Sequence, residues 1–309
     1  MLKFSQVIVM VMLVLSLGER SASAAAYPTV ATHSGFGQLF VLGSDPRGNL
    51  YVADQLHYAI LKFSPAGRLL LRDPMPKKCG ISGLAASRSG DVYAVANCQA
   101  LVYHFSASGR LLGRFGKQPP GPDGVAVDRQ GHVYVTYGTP AGAPPPPPGA
   151  PPGVRKLMLA NRFIEYTPTG KVMRTVKLPG LHLAWGIAID AGGNVYVTGT
   201  EAMVKVSPTG RVLRRWTRIV PPNRKYALPD QPAPDALGDV YATDGQGNIL
   251  KFSSTGRLLA TIVHHGSSPN TVQQPTGLTI TNGHLFVGEL SDHIKEFSLS
   301  GRLIAIWNP

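Results

Sequence analysis

The sequence predicts an all-β fold, a β-propeller of six four-stranded antiparallel blades, on three observations. First, a turn glycine followed by an aromatic recurs as Gly48/Tyr51, Gly90/Tyr93, Gly131/Tyr134, Gly193/Tyr196, Gly238/Tyr241 and Gly283/Phe286. Second, each copy carries a downstream signature, at Gly67-Arg68, Gly109-Arg110, Gly170-Lys171, Gly210-Arg211, Gly256-Arg257 and Gly301-Arg302. Third, the chain holds 35 Gly and 27 Pro and shows no sustained 3.6-residue apolar period. Repetition at about 40 to 60 residues without helical crossovers calls for a propeller or a solenoid. A solenoid would leave end repeats needing polar caps, and none is visible.

The chain opens Met1-Leu2-Lys3, runs apolar over residues 7–17 and then reaches Ala22-Ser23-Ala24-Ala25-Ala26. A charged start, a short apolar core and small residues at a cleavage point define a secretory signal peptide, assigned to residues 1–26. Its apolar core falls well short of the roughly 20 residues a bilayer crossing takes, so no span is expected after cleavage. Residues 27–309 then read as one propeller, secreted or periplasmic.

Blade four shows the strands most plainly: residues 186–190 for a, Val195 to Thr198 for b, Met203 to Val206 for c and Val212 to Trp216 for d. A four-stranded unit with two apolar faces is stable only when neighbours cover both. The strand-b aromatics, with Phe63, Phe105, Tyr166, Val206, Phe252 and Phe297 of strand c, are therefore expected between blades. The Ser or Thr ahead of each downstream glycine suits a type I turn, with Gly in the left-handed position. Blade five departs from the pattern, because Pro229, Pro232 and Pro234 remove ladder donors and predict a short innermost strand. Blade three carries a Pro-rich insertion, residues 139–159, expected to form a polyproline II loop. No strand is left over to latch the ring, and residues 27–33 are expected to add to the outer edge of blade six.

Two cysteines, Cys79 and Cys98, complete the architecture. Export permits a disulfide between them, which the loop-entropy argument values at about 3 kcal/mol; two reduced buried thiols are the alternative.

The run Asp45-x-x-Gly48-x-Leu50-Tyr51-Val52-Ala53-Asp54-x-x-His57-x-x-Ile60-Leu61-Lys62-Phe63, with copies such as Gly124-Val125-Ala126-Val127-Asp128-Arg129-Gln130-Gly131-His132-Val133-Tyr134-Val135, resembles the NHL-repeat family of six-bladed propellers. The resemblance covers residues from about 39 to 307. It implies the ring and leaves function open, since relatives include RNA-binding modules, peptide-processing lyases, lactonase-like enzymes and exported proteins of other roles.

In this topology the d-to-a and b-to-c connections share one rim, where propeller ligands usually sit. Residues starting strand a ring the channel mouth there: Phe40, Ser82, Asp123, Trp185, Asp230 and Thr276. Asp54, Asp244 and Glu289 occupy equivalent strand-b ends on neighbouring blades. Three such oxygens suit a hard cation, and the competing reading has each serving its own loop, through amides or partners such as His57, Gln246 and His293. Six histidines, His33, His57, His182, His264, His265 and His293, fall on the same rim. Lactonase-type relatives hold a divalent ion with Glu, two Asn and Asp at the mouth. Here Asp123, Asp230 and Asn97 are the available counterparts, an incomplete set. No serine-hydrolase elbow or phosphate-cradling glycine loop occurs in a suitable context.

Net charge is +13, which attracts anionic polymers. In an exported protein these are envelope glycans, phosphate polymers or lipid head groups rather than nucleic acid. The densest basic stretch is Arg211, Arg214, Arg215, Arg218, Arg224 and Lys225, with Trp216 interleaved. Arginines beside an aromatic grip phosphate or sulfate while stacking on a ring, whereas the same charges on an outer edge strand discourage sheet-to-sheet pairing. The sequence thus leads to a monomeric extracellular binding module without cofactor, for a protein or an anionic glycan. The alternative is a lyase or lactonase-type hydrolase with a divalent cation, such as Ca or Zn, at the mouth. Its candidate ligands are Asp54, Asp123, His182, Asp230, Asp244 and Glu289.

Overall fold

The structure is a computed structural model that describes residues 29–31, 37–76, 78–117, 121–138, 161–181, 184–199, 202–217, 231–244, 246–290 and 292–308. The signal peptide of residues 1–26 and the insertion of 139–159 lie outside the described residues.

Beyond a short strand β1 (Thr29–Ala31), the described strands fall into six antiparallel sheets, each running from the channel outward in chain order. Blade one is β2 (Leu39–Ser44), β3 (Leu50–Asp54), β4 (Ala59–Phe63) and β5 (Leu69–Pro74). Blade two is β6 (Ile81–Ala86), β7 (Val92–Ala96), β8 (Leu101–Phe105) and β9 (Leu111–Phe115). Blade three is β10 (Pro122–Val127), β11 (Val133–Tyr137), β12 (Arg162–Tyr166) and β13 (Val172–Lys177). Blade four is β14 (Ile187–Ile189), β15 (Val195–Thr198), β16 (Met203–Val206) and β17 (Val212–Trp216). Blade five is β18 (Ala233–Pro234), β19 (Val240–Thr243), β20 (Ile249–Phe252) and β21 (Leu258–Val263). Blade six is β22 (Pro275–Thr281), β23 (His284–Glu289), β24 (Ile294–Ser298) and β25 (Leu303–Asn308). Each inner strand lies against the next, and β22 meets β2 to close the ring. Among the described residues no helix is long and apolar enough to cross a membrane.

Two expectations drawn from irregular stretches hold. The proline-rich inner strand of blade five is only two residues long. The N-terminal segment pairs in parallel with β25, Thr29 opposite Ile306 and Ala31 opposite Asn308, and so covers the outer edge of blade six.

The buried side chains form six apolar clusters, one for each contact between adjacent blades. All six strand-b aromatics are buried, as are the six strand-c residues expected with them. This is the physical reason the blades fold as a ring: neither face of one sheet is covered until a neighbour arrives. Three of the strand-b tyrosines also reach a carboxylate at about 3 Å, while Tyr93 donates to the Pro168 carbonyl. Tyr51 donates its hydroxyl to Asp45 at 3.0 Å, Tyr134 to Asp128 at 3.1 Å and Tyr196 to Asp190 at 3.0 Å. Burial first, then the Asp45 charge, pushes the Tyr51 phenol well above its usual range. The same aspartates accept the backbone amides of the tight a-to-b turns, as Asp45 does from Arg47 and Asn49.

The c-to-d turns repeat one design six times. A Ser or Thr hydroxyl, at 64, 106, 167, 207, 253 and 298, accepts the amide four residues on. The intervening glycine is left-handed, with φ of 79° at Gly67 and 88° at Gly210.

Cys79 and Cys98 are joined, with Cα atoms 6.0 Å apart. The bridge ties the connection entering blade two to that blade's b-to-c loop. Replacing both cysteines by alanine is expected to cost about 3 kcal/mol in urea unfolding.

Candidate functional site

The inner strands approach so closely that side chains are excluded at one level of the ring. A Cβ on Gly83 would sit 2.6 Å from the carbonyl oxygen of Asp123, and one on Gly124 only 2.0 Å from that of Trp185. A Cβ on Gly186 would meet Gln231 Cα at 3.0 Å, and one on Gly277 would meet Val41 Cα at 3.1 Å. Directly before these glycines stand Ser82, Asp123, Trp185 and Thr276. With Phe40 and Gln231 they line a cavity of about 360 Å³ at the channel mouth. Five of the six residues expected at the mouth therefore share one pocket. The sixth, Asp230, lies outside the described residues. A volume of this size suits a small ligand.

A belt of hydrogen bonds running across blades two, three and four holds the mouth. Ser82 Oγ donates to the Asp123 carbonyl at 2.9 Å. The Gly124 amide donates to Thr136 Oγ1 at 2.8 Å, and Thr136 Oγ1 in turn donates to the Trp185 carbonyl at 2.7 Å. Blade one joins through Gln55, whose amide exchanges two bonds with the backbone of Ile81, at 2.7 and 3.1 Å. Pocket residues from separate blades are thus fixed before any ligand arrives, which lowers the ordering cost of binding. Five of the six described non-glycine residues with left-handed φ, namely Gln38, Tyr58, Ala100, Gln274 and Asp292, lie on this rim. Local strain of this kind concentrates at functional surfaces.

Asp123 is the one ionisable side chain among the described residues of the mouth. Burial pushes its carboxyl up to about 6, against a smaller opposing effect of the Ser82 hydroxyl. Because the folded value exceeds the unfolded one, the native state binds the extra proton between about pH 4 and 6. Stability therefore falls as pH rises through that window, and the cost is complete above it. Asp123→Asn is expected to stabilise the protein by about 1 to 3 kcal/mol at pH 7.5, and by nothing near pH 4. Thermal unfolding at both pH values measures this.

The acidic residues at the strand-b ends are engaged locally. Asp54 accepts the backbone amide of His57 at 3.1 Å and meets its Nδ1 at 2.8 Å. Asp244 accepts the amides of Gln246 and Asn248 at 2.8 and 3.1 Å. Glu289 pairs with Lys295 at 3.1 Å and takes the Gln273 amide. Among the described residues no three His, Cys, Asp or Glu side chains converge on a metal-sized point. The described mouth, with Asp123 as its one carboxylate, does not by itself reproduce a divalent-cation site. His33 and His182 lie outside the described residues.

The basic stretch is not the single surface its sequence suggested. Arg211, in the turn just before β17, and Arg214, on β17, are exposed. Arg215 donates to the carbonyls of Gly180 and Pro179, tying blade four to the connection from blade three. Trp216, expected as a stacking platform, is instead only 5% exposed. Its ring stacks between Tyr196, at 5.7 Å, and Phe252, at 6.4 Å, inside the contact with blade five. Alternation along β17 turns this last aromatic inward, so it has no face to offer a ligand. Arg218, Arg224 and Lys225 lie outside the described residues.

Comparison with known proteins bears on the fold. No protein-family model matches the chain, and no curated protein matches it in sequence. Among solved structures it is similar to a streptogramin B lyase, with a TM-score of 0.62 and 15% identity over 89% of this chain and 84% of that one. A virginiamycin B lyase from Staphylococcus aureus gives 0.62 and 13%, over 88% and 84%. A gluconolactonase from Xanthomonas campestris gives 0.57 and 17%, over 85% and 84%. At such identities the likeness is one of fold; this chain is a six-bladed propeller with a ligand-sized pocket at one end of its channel.

Proposed function

We propose that this chain is an exported, NHL-like propeller acting as a ligand-binding module, with the channel mouth as its binding site. The observation that carries this reading is the pocket itself, where Phe40, Ser82, Asp123, Trp185 and Thr276 converge from five different blades. Its walls are mostly apolar with a few fixed polar groups, the usual make-up of a small-molecule site. The disulfide accords with an extracytoplasmic location. The surplus of Lys and Arg, 30 against 17 Asp and Glu, would steer the protein towards anionic envelope polymers. Exposed Arg211 and Arg214 form part of that surface, and retention on a polyanion should weaken steeply with salt.

The neutral probe N-phenyl-1-naphthylamine, whose emission rises in an apolar cavity, tests the mouth. Saturable enhancement with one site per chain is expected, and it should disappear when Thr276→Trp fills the pocket in a protein of unchanged circular dichroism. Absence of enhancement, or enhancement indifferent to Thr276→Trp, would remove the mouth as the site.

The rival reading is a lyase or lactonase-type hydrolase at the same mouth. It draws on the likeness to the lyase and gluconolactonase folds. It draws also on Asp123, whose carboxyl near 6 suits proton transfer close to neutral pH. A stoichiometric divalent ion in the purified protein, lost on Asp123→Ala, would favour this reading.

A further inference from the structure

The chain is strongly basic, yet the described lining of its mouth contains no Lys, Arg or His. The one charge there is negative. None of the described ion pairs uses Asp123, and the influences on its carboxyl are burial and the Ser82 hydroxyl, with no cation beside it among the described residues. A partly desolvated carboxylate without a counter-charge is costly unless something in the site neutralises it. Several other acids of this fold are treated differently. Asp54, Asp190, Asp235 and Glu289 each have a Lys, Arg or His within 4 Å, and Asp45 and Asp244 each accept two backbone amides. Asp123 thus stands apart from the pattern of acids that brace turns and loops.

Two aromatics share the cavity with it. Phe40 is 45% exposed, and Trp185 is partly buried on the blade next to that of Asp123. Aromatic faces attract organic cations through the ring quadrupole, most strongly for Trp, and the attraction grows as the site is desolvated. An anion, by contrast, would meet both the Asp123 charge and the negative faces of the rings. The backbone around this set is fixed by the Thr136 bonds to Gly124 and Trp185.

We propose that the mouth selects a small organic ammonium cation with an apolar body, its charge set against Asp123 and its body against Trp185 and Phe40. This rests on the mouth being the binding site, and it reverses at the pocket the preference for anions that the net charge gives the outer surface. The consequence is a sorting of ligands by place, with polyanions held on the outer face and a cation in the channel.

The test uses three probes of similar size and different charge: benzyltrimethylammonium, benzyl alcohol and benzoate, titrated calorimetrically into the mature protein at pH 7.5. Benzyltrimethylammonium is expected to bind at least tenfold more tightly than benzyl alcohol, and benzoate not measurably. Asp123→Asn, which should remain folded because it removes a destabilising charge, is expected to abolish the gap between cation and neutral probe. Trp185→Leu should weaken the cation by a further severalfold, with Tm confirming that both variants fold. Equal binding of cation and alcohol, tighter binding of benzoate, or a cation preference that survives Asp123→Asn would each overturn the proposal. If N-phenyl-1-naphthylamine still reports a pocket sensitive to Thr276→Trp, only the charge assignment has failed; if it does not, the mouth itself is lost as a site.

Discussion

Gly124→Ala is expected to destabilise the protein by more than about 3 kcal/mol, a large effect for a single methyl group. The added carbon would lie 2.0 Å from the Trp185 carbonyl oxygen and 3.1 Å from Thr136 Oγ1. Both are fixed: the carbonyl is backbone of the next blade and already accepts a hydrogen bond from Thr136 at 2.7 Å. Relief would require blades three and four to move apart, which opens the apolar cluster they share. A ring amplifies this, because displacing one blade alters its contacts on both sides. For a domain of this size the change amounts to a Tm lower by roughly 6 °C or more. Gly113→Ala supplies the control, since nothing lies within 4 Å of its Cβ position on the outer strand β9. There the extra methyl should be neutral or slightly stabilising, as Gly in a strand interior costs about 0.5 to 1 kcal/mol relative to Ala. Equal effects in the two variants would refute the close inner ring.

Much of the fold is legible in the sequence because a repeat records the same local rule many times. Strands b, c and d of blade four occupy the residues that the turn glycines and apolar alternation assign to them. Blade five's two-residue inner strand follows from its prolines, which cannot donate to a ladder. Even the pairing of β1 with β25 follows from asking which edge would otherwise stand bare. The mouth is legible for the same reason: counting back from each a-to-b turn puts Phe40, Ser82, Asp123, Trp185 and Thr276 at one level of the ring.

What the sequence hides is the polar contact between blades. Gln55 clamps Ile81 from a neighbouring sheet, and Thr136 joins Gly124 to Trp185 across a blade boundary. No period within one strand encodes either bond. The glycines at 83, 124, 186 and 277 were a usable signal, since glycine recurring inside a strand marks close backbone approach. Trp216 shows the opposite error. Its neighbours Arg214 and Arg215 make the stretch look like a solvated basic face, yet a Cβ on Gly256 would fall 1.2 Å from Trp216 Nε1. A bare glycine turn in blade five is thus shaped around the indole.

Lys295→Met is the second variant expected to have a large effect, on stability directly and on the mouth through it. Lys295 and Glu289 are 5% and 2% exposed. The ammonium donates to the Thr271 carbonyl at 2.7 Å and to Glu289 Oε1 at 3.2 Å, while Glu289 Oε1 also accepts the Gln273 amide. The pair therefore pins the connection that leads into β22, whose first residues, Pro275 and Thr276, line the mouth. Removing the ammonium leaves a buried carboxylate uncompensated, a change that typically costs about 3 to 5 kcal/mol. Urea unfolding at pH 7.5 measures the deficit. Adding Glu289→Gln removes the stranded charge and should recover most of the loss, giving a coupling energy in the double-mutant cycle. Neither side chain touches the pocket, yet loosening Thr271 to Gln273 releases one wall of it, so Lys295→Met should also weaken N-phenyl-1-naphthylamine binding. A deficit below about 1 kcal/mol would show that Glu289 is not held by Lys295 and would free it for another role on the rim.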